Sequence, residues 1–167
     1  LILLPLGSRD WARNQEGSSA AALPQRQGPK GQGEKILVVD DDEAFLRMME
    51  MLLPREGYEA FTTSQPQKAL GEAKKLGSDL IILDLMMPQV DGFEICRRIR
   101  RDRVLKDKPI LVVSAAGGME VAQKVTEAGA DAQITKPFNQ VELLNEIGRL
   151  LKKRRDRAPG NEGKRDL

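Results

Sequence analysis

The sequence predicts a doubly wound α/β domain, five strands of one parallel sheet alternating with five helices. Two observations carry this. Short runs of β-branched and aliphatic residues, four to six long and without polar alternation, recur along the chain, as expected of strands buried on both faces. Between them lie segments whose apolar residues return at helical spacing, and strands that alternate with helices are joined by crossovers into a parallel sheet.

Taken in order, residues 1–34 are rich in Gly, Ser, Gln, Ala and Pro and show no sustained period, so they read as a disordered or extraneous leader. Order is expected from Lys35, where Ile36-Leu-Val-Val39 forms the first strand and ends in Asp40-Asp41-Asp42. Phe45, Met48, Met49, Leu52 and Leu53 then mark a helix that Gly57 stops, with Asp42 fit to cap its start. Tyr58–Thr62 is a shorter, alternating strand suited to an edge, and a second helix runs from Pro66 to Leu76, closed by Gly77. Asp79–Asp84 is the third strand. The third helix begins at Asp91 or Gly92, with Phe93, Cys96 and Ile99 on one face. A charged loop, 100–108, leads to the fourth strand, Pro109–Ser114, and a weak helix follows to about Ala128. Ala132–Thr135 is a short fifth strand. Asn139 caps the last helix, which is expected to end near Lys153 with Val141, Leu144, Ile147 and Leu151 inward. The domain thus spans 35–153, and 154–167 reads as a basic flexible tail too short for a second domain.

Composition narrows the chemistry. The chain has 167 residues, one cysteine and no histidine, so internal disulfides, zinc–histidine sites and Ser-His-Asp triads are excluded. Residues 35–151 hold sixteen basic and nineteen acidic groups, whereas 152–167 hold seven basic and three acidic ones, so charge is segregated rather than high. No apolar run approaches the ~18 residues a membrane span needs. The opening Leu1–Leu6 is broken by Pro5 and has no basic stretch before it, a poor signal peptide. A cytoplasmic protein is expected. The basic tail has no interleaved aromatic, so nucleic-acid binding is not expected of it.

In a doubly wound sheet the ligand crevice lies at the carboxyl ends of the strands. The residues there are Asp40 and Asp41 after the first strand, Asp84 after the third, Ser114 on the fourth and Lys136 after the fifth. Three carboxylates at one edge repel, and a hard divalent cation with oxygen ligands, Mg²⁺ above all, is the simplest compensation. Asp40 and Asp41 are placed to hold it. Asp84, alone at its strand tip, is the natural nucleophile toward a phosphoryl group, with Lys136 as a fixed cation and Ser114 as a hydroxyl donor to phosphate oxygens.

VVDDD at 38–42, ILDLMMPQVDG at 82–92, VVSA at 112–115 and TKPF at 135–138 together resemble the receiver domain of two-component response regulators, over about residues 34–153. The resemblance implies a flavodoxin-like sheet of strand order 2-1-3-4-5. It implies phosphorylation of Asp84 by a sensor histidine kinase or histidine phosphotransfer protein, with Mg²⁺ on Asp40, Asp41, Asp84 and the backbone carbonyl of Met86. Ser114 would be the switch hydroxyl, Lys136 the phosphate contact, and the Lys136–Pro137 bond often cis. Such a module is no enzyme beyond gaining and losing its own phosphoryl group. It would switch a partner-binding face at the fourth helix, fifth strand and fifth helix, toward an output partner that the sequence does not name or a phosphorylation-dependent homodimer. The chain departs from the family at Gln133, where an aromatic switch residue is usual. Met86 and Ala116, at two positions that tune dephosphorylation, can hold no attacking water, which implies a long-lived phosphoryl state. Two other readings compete. One is a metal-dependent phosphatase with its aspartyl nucleophile after the first strand, although the Gly-Thr such enzymes carry after it is missing. The other is a degenerate receiver that works without phosphorylation.

Overall fold

The computed structural model describes residues 30–88 and 90–157. The main sheet has five strands, numbered here in chain order: β1 Lys35–Val39, β2 Glu59–Thr63, β3 Leu80–Leu83, β4 Ile110–Ser114 and β5 Ala132–Thr135. All neighbours pair in parallel, in the order β2-β1-β3-β4-β5, as expected. The helices are α1 Glu43–Arg55, α2 Ala69–Leu76, α3 Gly92–Arg101, α4 Met119–Glu127 and α5 Gln140–Arg157.

Successive side chains on a strand point to opposite faces, so a run that is apolar at every position needs cover on both sides. Ile36 and Val38 of β1, Leu80 and Ile82 of β3, and Leu111 and Val113 of β4 pack with α1 and α5. Leu37, Val39, Ile81, Leu83, Ile110 and Val112 pack on the other face, with α2, α3 and α4. β3 and β4 are wholly buried and β1 is buried at every position but Lys35, whereas β2 at one edge is only partly so.

Local signals set the helix ends. Asp42 accepts from the N–H groups of Ala44 and Phe45 at the start of α1, and Asn139 accepts from the Glu142 N–H at the start of α5. Gly77 closes α2 in the left-handed region, φ 66°, where its missing Cβ removes the penalty.

Four expectations need correction. The last helix continues to Arg157, four residues beyond the expected boundary, and Arg154 in that extra turn is tied to Asp79 by a 2.5 Å ion pair. Val141 is exposed, and Leu143 is buried together with Leu144, Ile147 and Leu151, the other three residues expected to face inward. Pro66–Lys68 is a 3₁₀ turn leading into α2 rather than part of it. Residues 30–34, assigned to the leader, join the domain: the Gly31 and Gly33 N–H groups donate to the carbonyls of Glu56 and Gly57. The rest of the leader, 1–29, and of the tail, 158–167, lie outside the described residues. Among the described residues no helix is long and apolar enough to cross a membrane.

Candidate functional site

Strand register builds the site. Val39 lies beside Leu83 and Ser114 beside Thr135. The next residues along are Asp40, Asp84 and Lys136, so the pairing that stacks the apolar runs also brings these groups to one edge. The Asp84 N–H donates to the Val39 carbonyl, and the Lys136 N–H to the Ser114 carbonyl, which extends the ladder one step past the strands. Lys136–Pro137 is a cis peptide.

Asp40, Asp41 and Asp84 each offer a carboxylate oxygen within 4.8 Å of the other two. Asp40 and Asp84 are buried, at 1% and 6% exposure, and Asp41 is exposed. Burial pushes the Asp40 carboxyl above its ordinary range, against the opposing pull of Lys136 and the Asp42 N–H. The Lys136 ammonium donates to Asp40 Oδ2 at 2.6 Å. Asp84 Oδ1 is buried with no hydrogen-bond partner. A buried carboxylate oxygen without a donor is costly, and a cation or an electrophile is what its chemistry accepts. The donor set is all oxygen and half-buried, which suits a hard divalent cation such as Mg²⁺.

Ser114 is fully buried and its Oγ accepts the Ala116 N–H at 3.3 Å. Met86 sits beyond Asp84 in a two-residue hairpin arm, opposite Asp91, with its side chain exposed. Gln133 donates its amide to the Ala116 carbonyl at 3.0 Å, so the position usually held by a ring here tethers the loop that follows Ser114.

The structure also brings in two residues to which the sequence reading gave no part in the site. Phe45 lies under the Lys136 ammonium, 4.2 Å from ring centre, and meets Phe138 edge-on at 6.1 Å between centroids. The ring restrains the lysine by a cation–π contact. Its signal in the sequence was an aromatic in the first turn after the acidic cluster. Gly92 is the second. A Cβ there would stand 2.6 Å from Leu85 Cα and 2.7 Å from the Asp84 carbonyl oxygen, so only glycine lets α3 start against the Asp84 loop.

Sheet order and crevice define a flavodoxin-like α/β protein with an acidic, oxygen-lined centre at the carboxyl edge of its strands. Comparison with known proteins makes that more particular. The model of the response regulator receiver domain family matches residues 36–148, and the chain belongs to that family. It is 38% identical over 135 residues to the alkaline phosphatase synthesis transcriptional regulatory protein PhoP of Bacillus subtilis, covering 80% of this chain and 55% of PhoP. The chain spans about half the length of the curated relatives it matches. Among solved structures, Vibrio cholerae chemotaxis protein CheY4 is similar at TM-score 0.67 and 34% identity, over 71% of this chain and 98% of that one. The BeF3-activated DrrB receiver domain is similar at TM-score 0.64 and 32% identity, over 72% and 98%.

Proposed function

We propose that Asp84 is the phosphoacceptor of this receiver domain. The observation that carries the reading is the Asp84 Oδ1 atom, buried at the crevice without a donor. On this reading an Asp84 oxygen attacks the phosphorus of a phosphohistidine on a histidine kinase or phosphotransfer protein. The O–P bond forms as the N–P bond breaks, and the imidazole leaves with the electron pair. Lys136 gives up Asp40 for a phosphoryl oxygen, with the Phe45 ring still beneath it. Ser114 gives up the Ala116 N–H and donates its hydroxyl to a second phosphoryl oxygen. A magnesium ion held by Asp40, Asp41, Asp84 and the Met86 carbonyl would supply neutralisation of the charge shared by carboxylates and phosphate. The movement at Ser114 then reaches the face formed by α4, β5 and α5 through the Gln133–Ala116 bond, biasing a two-state surface toward an output partner or a second copy.

The phosphatase reading is weaker. It needs a free carboxylate two residues after Asp40, and Asp42 is committed to the N-terminus of α1. The reading that dispenses with phosphorylation rests on Gln133 alone, and that side chain is engaged with the loop after Ser114.

The test is incubation with acetyl phosphate and Mg²⁺, followed by intact-mass measurement. Wild type is expected to gain one phosphoryl group and Asp84→Asn none. No gain in wild type, or an equal gain in Asp84→Asn, overturns the assignment. Met86 is exposed and Ala116 has no polar side-chain atom, so neither orients a water on the phosphoryl group. The bound group is therefore expected to outlast seconds after the donor is removed, and faster loss refutes that part.

A further inference from the structure

We propose that the cavity at the opposite edge of the sheet binds an anion carrying two or more phosphates. This cavity, about 540 Å³, opens where Pro109 and Asp131 lead into β4 and β5. It lies roughly 15 Å, the length of a five-residue strand, from the crevice that holds Ser114 and Lys136. Its volume is in the range of small-molecule sites.

Six cations line it and two carboxylates do. The carboxylates do not neutralise it. Asp131 is spent on the Arg100 guanidinium at 2.6 Å and the Ile110 N–H at 2.9 Å. Asp107 is exposed at the rim. Arg154 has its own partner in Asp79. Lys106, Lys108, Lys153 and Arg157 remain, with no ion pair among the described residues. Lys153 and Arg157 are ordinary for the last turns of a helix, where the dipole favours positive charge, although like charges four apart repel. Lys106 has no such reason, and Lys108 has only the field of Asp79, a carboxylate already paired with Arg154. Both lysines come from the α3–β4 connection and converge on the same space.

Arg100 holds that convergence in place. Its Nε donates to the Gly129 carbonyl, and one terminal nitrogen donates to the carbonyls of both Lys106 and Lys108. The backbone carrying the two lysines is thus fixed by five-donor chemistry that only an arginine provides. Lys108 is half-buried, and burial first, then the nearby Arg154, pushes its ammonium below the ordinary lysine range. Cations gathered from two elements, one of them partly desolvated, fit an anion with several oxygens spread over the width of the cavity. A diphosphate matches this better than a single carboxylate. Pro109 and the lysine and arginine stems supply the apolar wall.

The experiment is calorimetric titration of the full chain with inorganic pyrophosphate, ADP and single inorganic phosphate in Mg²⁺-free buffer. It is done on wild type and on Lys136→Gln, which removes the cation through which the acidic crevice could itself hold an anion. Pyrophosphate is expected to saturate at one site in both proteins, with single phosphate binding about tenfold or more weaker, since it gives up at least one charge-assisted contact. Lys108→Gln with Lys153→Gln is expected to weaken pyrophosphate about tenfold or more. Arg103→Gln, an exposed charge outside the cavity, should leave it unchanged. ADP tighter than pyrophosphate assigns the cavity to nucleotides, and equal affinity assigns it to inorganic polyphosphates. Absence of saturation, an equal loss in Arg103→Gln, or duplex DNA binding that pyrophosphate does not displace overturns the proposal.

Discussion

Replacing Asp84 by Asn should stabilise the fold while removing its reactivity. Three carboxylate oxygens, from Asp40, Asp41 and Asp84, lie within 4.8 Å of one another. Two unit charges at that distance repel by about 3.5 kcal/mol at an effective dielectric constant of about 20. Asp41 is exposed and screened, and Lys136 already offsets Asp40, so the net relief on neutralising Asp84 is smaller, about 1–2 kcal/mol. The amide also brings a donor that the carboxylate lacks. Urea unfolding in EDTA should therefore show Asp84→Asn with the higher midpoint. Saturating Mg²⁺ should stabilise wild type by its binding free energy and the variant much less, shrinking or reversing the gap. A variant less stable than wild type in EDTA, or a gap unaffected by Mg²⁺, refutes the account of the crevice as a site of uncompensated negative charge.

Gly92→Ala drives a methyl group into the Leu85–Asp84 backbone and should cost about 1–3 kcal/mol and slow phosphoryl uptake from acetyl phosphate. Gly71→Ala, inside α2 with open space around it, should be neutral or stabilising by up to about 1 kcal/mol, and urea midpoints of the pair check both. Asp79 is raised by burial, but the Lys35 N–H and Arg154 outweigh that and hold it below the ordinary carboxylate value of 3.8. Its contribution is therefore full above that value and lost as pH falls through the lower folded one. The stability gap between wild type and Asp79→Asn should close below about pH 4. The Cys96 thiol, fully buried, is pushed by burial up to about 11, so native protein at pH 8 should resist iodoacetamide and urea-unfolded protein should react, as mass measurement would show.

The parts of this molecule that were legible in its sequence are those where one local signal has one meaning. Ile36–Val39 and Leu80–Leu83 are apolar at every position, which only a strand covered on both faces explains, and their register then dictates that Asp40 and Asp84 meet. Asp42, Asn139 and Gly77 are caps whose chemistry is contained in a few residues. What was hidden depends on contacts between distant segments. Val141 and Leu143 are both apolar within one turn of α5, and which faces inward depends on how the helix lies on the sheet. Arg154 looked like tail until Asp79, 75 positions earlier, proved to be its partner. Phe45 looked like core because nothing in the α1 periodicity shows that Lys136 stands over it. At Gln133 the sequence told only of a missing ring, and the 3.0 Å bond to Ala116 shows what replaces it.

If the crevice takes a cation and a phosphoryl group as proposed, the 2.6 Å contact between Lys136 and Asp40 makes it an exchange site. An incoming anion must compete with Asp40 for the ammonium, and a cation that engages Asp40 releases that ammonium. Each binding event lowers the work of the other, and by reciprocity the factor is the same in either direction. Cation and phosphate analogue should thus bind cooperatively even with no change in backbone, and the strength of one salt bridge would set the size of that cooperativity.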